Sequence, residues 1–172
     1  MLDNTTITII AVVIIICFLG IYIFVYRSDV KEIKKAEKQP ALDKSLQLQA
    51  HERLTILAER LALKNLVARI APAGMTADTY QRLLVETIKQ EYDYNLSQQL
   101  YVSPQVWQAI TNLKEQNIFI IHQLANTLPQ GASGPDLCKR ILELLDADPK
   151  TSLHTVVIET LRFDAKKIMS GA

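Results

Sequence analysis

The sequence predicts an all-α protein: a single N-terminal transmembrane helix followed by an antiparallel bundle of about five amphipathic helices. Three observations carry this. Residues 7–26 read ITIIAVVIIICFLGIYIFVY, without one charge. From residue 45 onward, apolar side chains recur every three or four positions, with no sustained alternation of period two. Short turn sequences (APAGMT, VSP, LPQGASGP, DADP) separate these periodic stretches.

Residues 1–6 form a short tail, expected to be extracytoplasmic, and residues 7–26 the span. At about 1.5 Å per residue such a helix is about 30 Å long, matching the hydrocarbon thickness of a bilayer. The β-branched residues would favour a strand in water, but lipid requires every backbone group to be paired within the segment. A cleaved signal peptide is disfavoured, because Met1–Thr6 carries no Lys or Arg and the apolar run is too long. All 19 Lys and Arg residues follow the span, whereas Asp3 is the only charged side chain before it. The positive-inside rule then places the N-terminus outside and the C-terminal domain in the cytoplasm, with the cell's inner membrane as the expected location. Residues 27–44 read as a charged juxtamembrane stalk broken by Pro40. Over residues 27–38, five basic residues (Arg27, Lys31, Lys34, Lys35, Lys38) are diluted by three acids.

Residues 45–172 are the expected cytoplasmic helical domain. Its first helix spans about Ser45–Ile70, with Ala50, Leu54, Leu57 and Leu61 on one stripe and Ile56, Leu63, Val67 and Ile70 on a second. A second helix starts at the Thr76 cap and continues to about Leu100, its ridge formed by Leu84, Ile88, Tyr92 and Leu96. Ser103-Pro104 opens a third, with Val106, Ile110, Leu113, Ile120, Leu124 and Leu128 inward and Asn117 at a core step. After PQGASG, a fourth helix turns Leu137, Ile141, Leu144 and Leu145 inward. The last carries Leu153, Val156, Val157, Leu161 and Ile168.

The chemistry-bearing residues do not assemble into a motif. His51-Glu52-Arg53-Leu54-Thr55 has Thr where a zinc-protease helix needs its second His, so His51 reads as an exposed helix residue. His122 and His154 have no His, Cys or Glu one turn away, which leaves no metal expected. Cys138 reads as a small core residue and Cys17 as part of the span. The formal charge of +1 argues against nucleic acid. No catalytic residue, cofactor or small-molecule substrate is expected, and the protein is read as a non-enzyme.

The unusual segment is EYDYNLSQQLYVSPQVW at 91–107, which concentrates Tyr92, Tyr94, Tyr101 and Trp107. Together with QAHERLTILAERL at 49–61 it resembles an uncharacterised family of short bacterial proteins. The resemblance runs from the span to about Lys114 and weakens after PQGASG. It implies an N-terminal membrane helix with a helical cytoplasmic domain, and no activity or cofactor. The expected role is therefore a membrane-anchored interaction or scaffold module. Besides the lipid bilayer around residues 7–26, it would have a protein partner of unknown identity. Alternatives are an accessory subunit of a larger membrane complex, or an enzyme at the inner surface. On a continuous second helix, Tyr94 and Tyr101 fall one heptad apart near Leu83. With Trp107 and Gln98 they are the candidate partner-binding residues.

Overall fold

The computed structural model describes residues 40–147 and 153–170. The tail 1–6, the expected span 7–26, the stalk up to residue 39 and the turn at Asp148-Pro149 lie outside them. The described residues are all-helical, with elements α1 (Pro40–Leu61), α2 (Leu63–Arg69), α3 (Ala77–Tyr94), a 3-10 segment (Leu96–Tyr101), α4 (Pro104–Asn126), α5 (Gly134–Ala147) and α6 (Leu153–Ser170). No helix among them is long and apolar enough to cross a membrane.

Helix α4 is the centre of the bundle. It lies against α3, α5 and α6, while α3 also packs on α5, and α2 on α5. The buried core draws Leu54, Leu57 and Leu61 from α1, Leu84 and Ile88 from α3, and Ile110 and Leu113 from α4. Leu137 and Ile141 of α5 and Val157 and Leu161 of α6 complete it. These are the apolar stripes expected from the periodicity, and burying them is the main favourable term in folding.

Several expectations need correction. The first helix starts at Pro40, not near Ser45, with the proline at a helix start, where its missing N–H leaves no bond unmade. It is also not continuous to Ile70. The chain bends at Ala62 and resumes as α2. The bend frees carbonyl groups that a continuous helix would have used, and side chains answer them. Asn65 Nδ2 donates to the Glu59 carbonyl at 2.9 Å, Arg69 Nη2 to Arg60 at 2.9 Å and buried Asn117 Nδ2 to Leu61 at 2.7 Å. Asn117, at its core step, is thus satisfied and pins α4 against the bend. The second helix ends at Tyr94, where Asn95 takes the terminal position and its Nδ2 turns back to the Glu91 carbonyl at 2.8 Å. Ile56, Leu96, Leu144 and Val156, all expected inside, are exposed. In α6, Val157, Ile158 and Leu161 take the inward face, which turns Val156 outward.

The two turns before α3 and α5 are alike, a similarity too short to stand out as a repeat in the sequence. Each reads Pro-x-Gly-x-Thr/Ser: Pro72 to Thr76, and Pro129 to Ser133. Each glycine has a positive φ, +74° at Gly74 and +83° at Gly131. Thr76 Oγ1 accepts from the Thr79 N–H at 3.2 Å, and Asp136 Oδ2 accepts from the Ser133 N–H at 2.9 Å. The turns pair with each other through an antiparallel bridge at Thr76 and Ser133, with Ala77 N–H donating to Ala132 at 2.9 Å and Gly134 N–H to Met75 at 2.8 Å. A Cβ on Gly134 would sit 2.7 Å from the Pro72 carbonyl oxygen, so this pairing requires glycine.

Candidate functional site

Where α1 and α3 run side by side, they leave an open groove of about 490 Å³ lined by Arg53, Ile56, Arg60, Gln90, Glu91 and Tyr94, among others. Helical spacing places its walls: 53, 56 and 60 share one face of α1, and 87, 90, 91 and 94 share one face of α3. Tyr94 is 75% exposed and Ile56 60% exposed. The Arg53 guanidinium lies 5.5 Å from the Tyr94 ring centroid, a cation–π contact that orients the ring. At the other end of the groove, Arg60 Nε donates to Glu91 Oε1 at 2.7 Å and Arg69 Nη1 approaches the same oxygen at 3.4 Å. Burial alone would raise the Glu91 carboxyl, but the two guanidinium groups outweigh it and hold it below the usual glutamate range. A tyrosine ring, an isoleucine and the Arg53 cation thus face solvent together beside a charge cluster that is already paired.

The expected quartet is only partly brought together. Because α3 stops at Tyr94, Tyr101 lies on the separate 3-10 segment and is not one heptad from Tyr94 on a shared flank. Tyr101 is exposed at the opposite end of that segment. Gln98 is half-buried, and its Nε2 donates to Ser97 Oγ at 3.3 Å. Trp107 is half-buried against Tyr92, ring centroids 5.1 Å apart and 33° tilted. The Tyr92 hydroxyl meets Thr111 Oγ1 at 2.9 Å, and Lys114 Nζ sits 4.4 Å from its ring centroid. Tyr92 and Trp107 therefore tie α3 to α4, while Tyr94 alone of the quartet faces the groove. Sequence reasoning missed Arg53, Ile56 and Arg60. Their i, i+3, i+7 spacing was the available signal, but Ile56 read as core.

A model of the family of unknown function DUF7935 matches residues 1–168. The chain belongs to this family. The match continues well past the PQGASG turn, where the resemblance seen in the sequence weakens. No curated protein and no solved structure matches the chain.

In this DUF7935 member the titratable residues are engaged in structure. His51 is not an exposed helix residue but 3% exposed, because α6 packs over it. Its Nδ1 faces the Gln47 carbonyl at 2.7 Å and its Nε2 faces Asp164 Oδ2 at 3.0 Å. The ring thus bridges a carbonyl of its own helix and a carboxylate of α6. His154, also on α6, brings Nε2 within 3.4 Å of Glu59 Oε2 on α1, close enough for ion pairing but not aligned as a hydrogen bond. His122 is exposed beside Gln81. Cys138 is half-buried against the core near Tyr80, whose hydroxyl donates to the Ile70 carbonyl at 2.9 Å. Burial, and then the neighbouring Cys138, push the Tyr80 phenol far above its usual range. Among the described residues no three His, Cys, Asp or Glu side chains converge as a metal site would need.

Proposed function

We propose that this protein is a single-pass bacterial inner-membrane anchor, with residues 7–26 crossing the bilayer and the helical domain acting in the cytoplasm as a protein-binding module. One observation carries the reading: the long uncharged run lies at one end of the chain, with all 19 Lys and Arg residues on its C-terminal side. The groove between α1 and α3 supports the binding role. A rigid tyrosine beside an exposed isoleucine and an arginine is the composition of an interface hot spot. Tethering raises the local concentration of such a surface at the membrane without any new contact. The engagement of His51 and Cys138 in helix packing favours a binding role over catalysis.

Topology is tested by fusing reporters after Ala172. One active only in the cytoplasm should work and one active only outside should fail, and the reverse pattern sinks the reading. The groove is tested by comparing proteins co-purified from gently solubilised membranes with the parent chain and with the Tyr94→Ala/Ile56→Ser double variant. The variant should lose a partner that the parent retains while its melting temperature stays nearly unchanged. Retention of every co-purified protein by the variant removes the groove from the proposal.

A further inference from the structure

The 3-10 segment Leu96–Tyr101 lies at the end of the bundle where α1 begins. It leaves one large apolar residue mostly in water and two more partly so. Leu100 is 76% exposed, and Leu96 and Tyr101 are exposed beside it. Leu100 and Tyr101 share a hollow of about 440 Å³ with Lys44 at the start of α1 and Lys167 near the end of α6, both exposed. Among the described residues, the one carboxylate lining that hollow, Asp164, is bound by His51. The remaining chemistry is an apolar tip, a tyrosine and two ammonium groups at a single end of the domain. Leucine suits the acyl boundary and a tyrosine ring the headgroup level, while lysines keep their charge among anionic phosphates.

The chain itself points to what covers this tip. Thirteen residues, 27–39, separate Tyr26 from the start of α1 at Pro40, and they carry Arg27, Lys31, Lys34, Lys35 and Lys38 against Asp29, Glu32 and Glu37. At no more than about 3.6 Å per residue they reach about 47 Å. The helix they lead into, α1, begins at this end. Their net charge of +2 (five basic less three acidic residues) favours an anionic lipid surface. We propose that the tip formed by Leu96, Leu100 and Tyr101, flanked by Lys44 and Lys167, docks on the anionic phospholipid surface of the membrane that holds the span. The domain is thereby seated tip-down, with the Tyr94 groove on its side left open to a partner. The inference rests on the anchoring reading above, which supplies the bilayer.

The test uses the full chain in nanodiscs containing phosphatidylglycerol, with single spin labels read by their accessibility to oxygen and to a water-soluble nickel chelate. One label is placed at Leu100→Cys in a Cys17→Ser/Cys138→Ser background. A second is at Phe119→Cys in the same background, on an exposed position in the middle of α4. A third uses native Cys17 with Cys138→Ser. The oxygen-to-nickel ratio at 100 should exceed that at 119 several-fold. It should fall toward the 119 value in phosphatidylcholine-only discs and in the Lys44→Gln/Lys167→Gln variant. Circular dichroism of each labelled chain checks that the helices persist, and a Tyr101→Cys label should repeat the result if Leu100→Cys perturbs folding. If Cys17 reads membrane depth while 100 and 101 read aqueous, the tip proposal is overturned and the anchor stands. Spin–spin broadening at 100 would show that a second copy covers the tip, and would also overturn it. If Cys17 itself reads aqueous, the anchoring reading falls and takes this proposal with it.

Discussion

The two ends of the bundle are built on opposite terms. At one end, the turns before α3 and α5 pair through the Thr76–Ser133 bridge, and the Tyr80 hydroxyl answers the Ile70 carbonyl. Between the two ends, the helix bend at Ala62 has its carbonyls answered by Asn65, Arg69 and Asn117. At the other end, the 3-10 segment satisfies its backbone locally and leaves Leu100 and Tyr101 in water. The first end is over-determined, so a change there disturbs several elements at once. The second contributes little to packing, and its side chains are free to serve another surface.

That contrast can be broken by experiment. The largest effect is expected from Leu84→Ala. Leu84 is fully buried between α3 and its neighbours, and the truncation should cost about 2–5 kcal/mol in chemical denaturation, whereas Leu100→Ala should shift stability by less than about 0.5 kcal/mol. Equal costs would show that the 3-10 segment is part of the core. Next comes Gly134→Ala, which drives a methyl group into the Pro72 carbonyl and should lose about 1–3 kcal/mol. If the variant melts like the parent, the paired turns do not hold the closed end together.

Asn117→Ala should cost about 1–3 kcal/mol, because it leaves the Leu61 carbonyl buried without a donor at the helix bend. Asn117→Asp tests the same point, since a carboxylate cannot donate to that carbonyl. A smaller effect belongs to Glu91. Its folded-state acidity is strengthened by Arg60 and Arg69, so its contribution is present above the usual glutamate range and is lost as the pH falls through the depressed folded value. Glu91→Gln should therefore destabilise by about 1 kcal/mol or less near neutral pH, because Arg60 is half exposed, and the difference should vanish in acid. A gap that persists at low pH would assign the loss to packing. The smallest effect is expected from Tyr94→Ala, which should leave the melting temperature nearly unchanged because the ring is 75% exposed.

His51 shows where reading from the sequence stops. Its position on α1 is local information, and the neighbouring Glu52 and Arg53 mark a solvated face. The side chain is buried because Asp164, 113 positions later, is carried over it by α6. Spacing along one helix says nothing of which other helix will lie across it. The groove behaves the same way. Tyr94 was legible as an unusual aromatic, but Arg53 and Ile56 became its neighbours only when α1 settled against α3. The error over Tyr101 has a nearer cause. Asn95 turns its side chain back to Glu91 and ends α3, and the apolar spacing of 96 and 100 gave no sign of that stop.

The sequence by itself determined the helical class, the apolar stripes of α1, α3, α4 and α5, and the caps at Thr76 and Ser103, because these depend on 3.6-residue periodicity and on side chains that bond their own backbone. It also set the charge asymmetry on which the proposed anchoring rests. Only the tertiary structure decided the bend at Ala62, the pairing of the two turns, the burial of His51 and the neighbours of Tyr94. Each of these needs a donor, a carboxylate or a cation from a segment distant in the chain, and long-range partners of that kind are selected by how whole helices pack.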